Sequence, residues 1–88
     1  MNPAQAPAFP LDMALQGADK GEWEFLGYDT TADGGYRLYV YRNRDSGHRL
    51  VVDTAGKCYR YEYMDRWRGY YVEMDRDQAI REATGRLG

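Results

Sequence analysis

Alternating apolar and polar positions predict strands through the middle of the chain. From Cys58 to Tyr63, tyrosines alternate with Cys, Arg and Glu, which is the period-two pattern of a strand with one face turned to a core. Residues 22–29 and 36–43 alternate in the same way, and shorter runs follow around Leu50–Val52 and Tyr70–Val72. With turn residues between these runs, the pattern predicts a meander of about five antiparallel strands.

Helical patterns flank the predicted sheet. Asp75 and Gln78 have the spacing of a capping box at the start of a C-terminal helix. A narrow apolar stripe follows, formed by Ala79, Ile80, Ala83 and Leu87. Residues 11–16 allow a short N-terminal helix, and residues 1–10, with three prolines, are expected to be a disordered or extended lead-in. The expected fold is a single α+β domain over residues 11–88, with the C-terminal helix packed on one face of the sheet.

The first predicted hairpin is centred on Asp33–Gly34, the dipeptide of a tight turn. This centre places Phe25 opposite Arg42, Gly27 opposite Val40 and Tyr28 opposite Tyr39. A longer loop would move every side chain to the other face and stays open as an alternative.

The later turns predict which residues share a face. Ala55–Gly56 as a two-residue turn pairs Val52 with Tyr59, and loop 43–47 pairs Val40 with Leu50. Across 65–68, Tyr63 would pair with Tyr70. One predicted face comprises Leu38, Val40, Leu50, Val52, Tyr59, Tyr61 and Tyr63, and we expect the helix to cover it. The other face comprises Arg37, Tyr39, Tyr41, Arg49, Val51, Asp53, Cys58, Arg60 and Glu62.

Length and composition limit the kind of interior that the chain can form. A chain of 88 residues forms one domain with one core, so a deep substrate pocket is not expected. Nine of its aromatic residues are Tyr, whose hydroxyl needs a partner when the ring is buried. We therefore expect several tyrosines with the ring inside and the hydroxyl at the edge.

Charge is distributed unevenly along the chain. Residues 1–35 hold one lysine against six acidic residues, whereas residues 36–68 hold eight Lys or Arg against four acids. The two regions form opposite faces or pair with each other. The overall charge of −2 favours neither a nucleic acid nor a membrane as a partner.

The single cysteine, Cys58, cannot form an internal disulfide, so a reducing compartment, the cytoplasm, is expected. The sequence contains neither an export signal nor a run of membrane-spanning length. His48 and Cys58 are predicted on different faces, and a Cys/His pair needs hydrogen-bonding reach. Cys58 is expected to be an inert edge residue.

Paired carboxylates offer little further chemistry. Glu22 and Glu24 flank a strand and are expected to be solvated, and Asp75 and Asp77 are explained by the start of a helix. Neither pair has a third ligand at metal-binding spacing. We therefore predict no catalytic residue, metal or cofactor, and expect a protein that is not an enzyme.

A bulky aromatic between two guanidinium groups is the sharpest candidate for binding. Trp67 lies between Arg66 and Arg68 at a predicted hairpin end, and these residue types are enriched in binding hot spots. The ring either folds back on the core or is exposed. If it is exposed, it forms an anchor cluster with Arg66, Arg68, Tyr70 and Tyr71, and Arg60 lies on the same predicted face as Tyr71.

The second predicted face mixes rings and cations, with Tyr39, Tyr41, Arg49 and Arg60 as its candidate site. Such a face stacks single-stranded bases and holds phosphates. The alternative is a cross-strand ladder of ion pairs with Asp53 and Glu62.

These observations favour a small cytoplasmic protein that binds another protein. Its most concrete form is an inhibitor or immunity-type factor of phage, mobile-element or bacterial origin, an anti-CRISPR-like inhibitor being one example. The acidic segment 19–33, with Glu22 and Glu24, would address the basic channel of a nucleic-acid-binding target. Single-stranded nucleic-acid binding and a homodimer or larger homo-oligomer are the alternatives, and no membrane partner is expected.

Overall fold

A computed structural model describes residues 8–15, 23–31 and 34–85, and these form an α+β fold. Its elements are α1 (Ala8–Leu15), β1 (Trp23–Thr30), β2 (Arg37–Asn43), β3 (Arg49–Asp53), β4 (Cys58–Tyr63), β5 (Gly69–Met74) and α2 (Arg76–Thr84). The strands form one antiparallel sheet in the order β1-β2-β3-β4-β5. The five-strand meander and both helices were predicted, and the fold class is confirmed. No helix of the described residues is long and apolar enough to cross a membrane.

The predicted register of the first hairpin is right for only half of its length. Gly27 pairs with Val40 and Tyr28 with Tyr39, as expected. A bulge between Phe25 and Gly27 then shifts the ladder by one, so that Phe25 lies opposite Tyr41 rather than Arg42. An extra residue in one strand has this effect, and it puts Phe25 on the face of Tyr41. Asp33, one of the predicted turn residues, lies outside the described residues.

The predicted pairing of β3 with β4 is wrong by one residue. Tyr59 pairs with Val51 instead of Val52, and Val52 pairs with Cys58. The cause is a three-residue loop, 54–56, closed by the Asp53 N–H donating to the Lys57 carbonyl at 2.9 Å. Its last residue, Gly56, has φ 85°, the left-handed conformation in which such loops commonly end.

The predicted registers of the other two hairpins are also wrong by one residue, because each loop differs in length by one residue from the predicted loop. Between β2 and β3, Val40 pairs with Val51 instead of Leu50, because the loop spans four residues, 44–47. Between β4 and β5, Tyr63 pairs with Gly69 instead of Tyr70, because the loop spans three residues, 65–67. A one-residue slip moves side chains to the opposite face, so the predicted composition of both faces needs correction.

The register slips divide the face that was predicted to lie under the helix. Leu50 and Val52 do pack against the helices, as expected, whereas Leu38, Val40 and Tyr59 lie on the other face of the sheet. Buried residues of the helix-covered face are Trp23, Tyr41, Leu50, Val52 and Cys58, packed against Leu11, Ala14, Leu15, Ala79 and Ala83. This is the largest cluster of buried side chains in the described part of the chain. Burying one leucine in it contributes roughly 2 kcal/mol.

The other face of the sheet is concave. Leu38, Val40, Val51 and Tyr59 are buried on it, and Tyr71 packs against them. The Tyr71 hydroxyl donates to Asp29 Oδ2 at 2.9 Å, which joins β5 to β1, the two edge strands of the sheet. The sheet therefore curves over this face and buries it without a helix.

Both helices are fixed at their ends by polar contacts. Asp75 caps α2 by accepting from the Gln78 N–H at 3.0 Å, as predicted, but the Gln78 side chain turns to Glu82 and does not complete the capping box. Gly85 provides a left-handed C-cap. Arg76 Nη1 donates to the Ala14 carbonyl at 2.8 Å, which ties α2 to α1. Leu87, the last residue of the predicted stripe, lies outside the described residues.

The N-terminal helix is broken at Phe9, whose φ of −95° and ψ of 132° are extended, so its continuous part begins at residue 10, one residue before the predicted 11–16. Its bounds, Ala8–Leu15, include three residues of the segment expected to be an extended lead-in. Residues 1–7 and Gln16 lie outside the described residues.

Candidate functional site

The loop between β4 and β5 is held by one aspartate. Asp65 Oδ1 accepts from the backbone N–H groups of Trp67 and Arg68, at 2.8 and 2.9 Å. Asp65 Oδ2 accepts from Arg68 Nε at 3.2 Å and Nη2 at 3.0 Å. These bonds, with the Trp67 N–H first, lower the pKa of Asp65, so the carboxylate is charged in the folded loop. The loop therefore has a defined shape although it is exposed.

This loop presents the most exposed large apolar side chains of the described residues. Trp67 is 84% exposed, Tyr63 is 76% exposed and Met64 is 64% exposed. The open question of the sequence, whether Trp67 folds back on the core, is thus answered: it does not. We call Tyr63, Met64, Arg66, Trp67 and Arg68 the hairpin tip.

A ladder of rings supports the hairpin tip from the concave face. Tyr61 lies edge-on to Tyr63, with ring centroids 4.9 Å apart, and edge-on to Tyr71 at 5.0 Å. The Tyr61 ring also lies over Gly69, where an added Cβ would overlap the ring and the Glu62 carbonyl. Glycine at position 69 therefore lets the ring lie directly on the neighbouring strand.

The concave face also holds a buried polar pair. The Tyr59 hydroxyl donates to Asp53 Oδ2 at 2.8 Å, and Asp53 Oδ1 accepts from the Ala55 and Lys57 N–H groups. Burial and this bond raise the pKa of Tyr59, and burial together with Asp29 raises the pKa of Tyr71 to about 12. Both phenols are therefore neutral hydrogen-bond donors near neutral pH.

The remaining predicted site residues do not gather at the hairpin tip. Tyr41 is fully buried under the helices, which makes it part of the core and removes it from any surface. Tyr39 is half-buried beside Phe25 and Tyr28. Arg49 and Tyr71 belong to the concave face, and Arg60 pairs with Glu62 at 2.8 Å on the other face. The four residues of the predicted nucleic-acid site thus lie on both faces and form no common surface.

Of the two acidic residues in the predicted site, the structure describes Glu24 but not Glu22. Glu24 pairs with Arg42 Nε at 2.5 Å, so its charge is partly neutralised within the sheet. Glu22 lies outside the described residues, as do Asp19 and Asp33 of the same acidic segment 19–33. The described acids of this segment are Glu24 and Asp29, and both have a partner.

Sequence reasoning placed Tyr61 and Tyr63 in the core and left Met64 out of the site. The prediction assigned Tyr61 and Tyr63 to the face under the C-terminal helix, but in the structure they lie on the concave face, with Tyr59 and Tyr71. A signal was available in the predicted register, because pairing Val52 with Tyr59 also places Tyr63 opposite His48, which precedes β3. At that end of β4, the strand is not paired with β3, because β3 and β4 pair only at Val51–Tyr59 and Val52–Cys58.

Cys58 lies opposite Val52 on the helix-covered face, not on the opposite face as predicted, and His48 is an exposed residue before the start of β3. Cys58 is fully buried in the helix-covered core rather than at an edge, and burial raises the pKa of its thiol to about 11. A protonated, inaccessible thiol is a poor nucleophile. Among residues 8–15, 23–31 and 34–85, no group of three or more His, Cys, Asp or Glu side chains could hold a metal ion.

Comparison with known proteins gives no relative. No protein family, curated protein or solved structure matches the chain.

Proposed function

We propose that the protein binds another protein through the hairpin tip. The observation that carries the proposal is the exposure of Trp67 on a loop fixed by four hydrogen bonds to Asp65. Tryptophan and arginine are enriched among the residues that dominate binding energy, and an exposed ring gains most when a partner covers it.

The fixed shape of the loop supports the same proposal. A flexible loop would lose conformational freedom on binding, and that loss reduces affinity. Asp65 orders the loop before any partner is present, and the ring ladder of Tyr61 and Tyr63 supports it from one side. The hairpin tip thus offers an aromatic anchor at low entropic cost.

Unpaired positive charge indicates the chemistry of the partner surface. Within the described residues, Arg66 forms no ion pair, whereas Arg68 is neutralised by Asp65. A partner with an apolar pocket and an acidic rim would complement Trp67 and Arg66 together.

The form of this function that we propose is inhibition, as an immunity-type or anti-CRISPR-like factor of a phage or bacterium, acting in the cytoplasm without enzymatic activity. A protruding, preorganised ring suits insertion into a cleft of a target protein. The target could be a nucleic-acid-binding complex, as the acidic segment 19–33 suggests.

Affinity capture from the native host tests the proposal with a matched pair of variants. Wild-type protein and Tyr36→Ala, which removes an exposed ring far from the tip along the chain, are expected to retain the same partner. Trp67→Ala is expected to lose it, because truncating a central aromatic anchor weakens binding by about two orders of magnitude. Equal recovery with all three proteins would show that the hairpin tip is not the binding surface.

A further inference from the structure

The sheet opens between β3 and β4 and leaves a cavity that is lined from both sides. Tyrosines of the concave face form one side, and the other side is formed by Leu50, Met74, Ala79 and Glu82 on the helix-covered side. The register that pairs Val51 with Tyr59 would continue with Leu50 opposite Arg60, but the ladder stops before that pair. The cavity has a volume of about 360 Å³, which lies within the range of small-molecule sites.

Aromatic rings form much of the cavity wall. Tyr59, Tyr61, Tyr63 and Tyr71 all line it, with Val40 and Val51 at its base. Among the described residues, the hydroxyls of Tyr61 and Tyr63 have no hydrogen-bond partner, whereas those of Tyr59 and Tyr71 are engaged by Asp53 and Asp29. The wall therefore combines ring surface for a planar ligand with two free hydroxyl donors.

The four charged residues at the cavity differ in whether another side chain already binds them. Asp29 accepts from Tyr71, Glu82 accepts from Gln78 Nε2, and Arg60 is paired with Glu62. Arg49 also lines the cavity, and within residues 8–15, 23–31 and 34–85 it forms no ion pair. A guanidinium group binds a carboxylate through two parallel hydrogen bonds.

We propose that this cavity binds a small planar aromatic acid, with its ring among the tyrosines and its carboxylate on Arg49. This cavity is a different site from the hairpin tip, which we propose binds a protein. Tyr63 is the one described residue that belongs to both. The ligand's carboxylate takes the place of water around Arg49, and the free hydroxyls of Tyr61 and Tyr63, which both donate and accept, hydrogen-bond to polar atoms at the edge of its ring.

Two probes with the same ring test the proposal. Indole-3-acetate carries a carboxylate, and indole-3-ethanol carries a neutral hydroxyl in the same position. Titration of each into the isotope-labelled protein, followed by amide chemical shifts, is expected to move residues 49–51 and 59–61. We expect indole-3-acetate to bind about tenfold more tightly, because a hydrogen bond to a charged group adds that much.

Matched arginine variants locate the charge. Arg49→Gln is expected to reduce the affinity for indole-3-acetate to that for indole-3-ethanol, whereas Arg44→Gln, an exposed loop arginine away from the cavity, leaves it unchanged. Trp67→Ala is expected to retain binding, so that failure of this site and failure of the hairpin tip are distinguishable. The proposal is overturned by the absence of shifts at millimolar probe, by equal affinity for both probes, by an unchanged affinity in Arg49→Gln, or by shifts confined to the hairpin tip.

Discussion

Two loops of this sheet use the same aspartate chemistry in opposite surroundings. In the β3–β4 loop, Asp53 Oδ1 accepts two backbone N–H groups and Oδ2 accepts the Tyr59 hydroxyl. In the β4–β5 loop, Asp65 Oδ1 accepts two backbone N–H groups and Oδ2 accepts the Arg68 guanidinium. Each loop has three residues between its paired strand ends.

Burial separates the roles of the two aspartates. Asp53 is 3% exposed and joins its loop to the concave core, whereas Asp65 is exposed and, among the described residues, binds only Trp67 and Arg68 of its own hairpin. The first loop carries the small residues Ala55 and Gly56, and the second carries Trp67. A loop held by the same hydrogen-bond pattern as a core loop, but presenting an uncovered ring, is what a preorganised binding site requires.

The largest expected effect is a difference in the free energy of unfolding between alanine variants of the two aspartates. Asp53→Ala leaves the buried Tyr59 hydroxyl and two N–H groups without their acceptor, which is expected to lower the free energy of unfolding by about 3 kcal/mol. Asp65→Ala, the matched control, removes an exposed acceptor and is expected to have a much smaller effect. Urea denaturation measures both, and equal losses would show that burial does not distinguish the loops.

The ring ladder beneath the tip gives the next effect. Gly69→Ala forces a methyl group into the Tyr61 ring and is expected to lower the free energy of unfolding by about 2 kcal/mol. In a Tyr61→Ala background, the same substitution is expected to cost less, because the ring is gone. Additive losses in the double variant would contradict direct contact between the ring and residue 69.

A smaller effect, dependent on pH, tests the closure of the concave face. Tyr71→Phe removes the hydroxyl that binds Asp29 and is expected to lower the free energy of unfolding by about 1 kcal/mol near neutral pH.

The direction of the pH dependence follows from the raised pKa of Tyr71. Because this pKa is about 12 in the folded protein and 10 unperturbed, its contribution to stability is complete below pH 10 and is lost as pH rises toward 12. Denaturation at increasing pH is therefore expected to show a shallower fall in Tyr71→Phe than in the wild type. Tyr36→Phe, an exposed control, is expected to follow the wild type, and identical slopes for all three proteins would argue against the bridge.

The smallest effect on stability is expected at the hairpin tip itself. Trp67→Ala removes a ring that is 84% exposed, so the free energy of unfolding is expected to change by less than about 0.5 kcal/mol. Thermal unfolding measures it, and a large loss would mean that the ring has a structural role.

The sequence predicts the strands, the helix cap and the exposed tip candidates because each depends on local chemistry. Alternation marks β4, Asp75 marks the start of α2, and a tryptophan between charges marks the tip. Register depends instead on loop length, and a three-residue loop ending in Gly56 contains the same turn residues as a two-residue one. A difference of one residue wrongly put Val40 on the same face as Leu50 and Val52. In the structure Val40 shares its face with Val51, and the helices cover Leu50 and Val52.

The cavity was beyond prediction for a different reason. It depends on the divergence of β3 from β4 and on the approach of Asp29 to Tyr71, 42 residues apart in the chain. Neither alternation nor turn chemistry encodes a contact between the two edges of a sheet. The role of Arg49 therefore appears only with the fold.

The most direct measurement is the partner affinity of Asp65→Ala, a variant that retains Trp67 and loses the bonds that fix its loop. With the captured partner, we expect an affinity about tenfold weaker than wild type, because the loop must then be ordered on binding. Asp45→Ala, an exposed control in the β2–β3 loop, is expected to bind as the wild type does. An unchanged affinity for Asp65→Ala would contradict the account that a preorganised hairpin tip is the binding site.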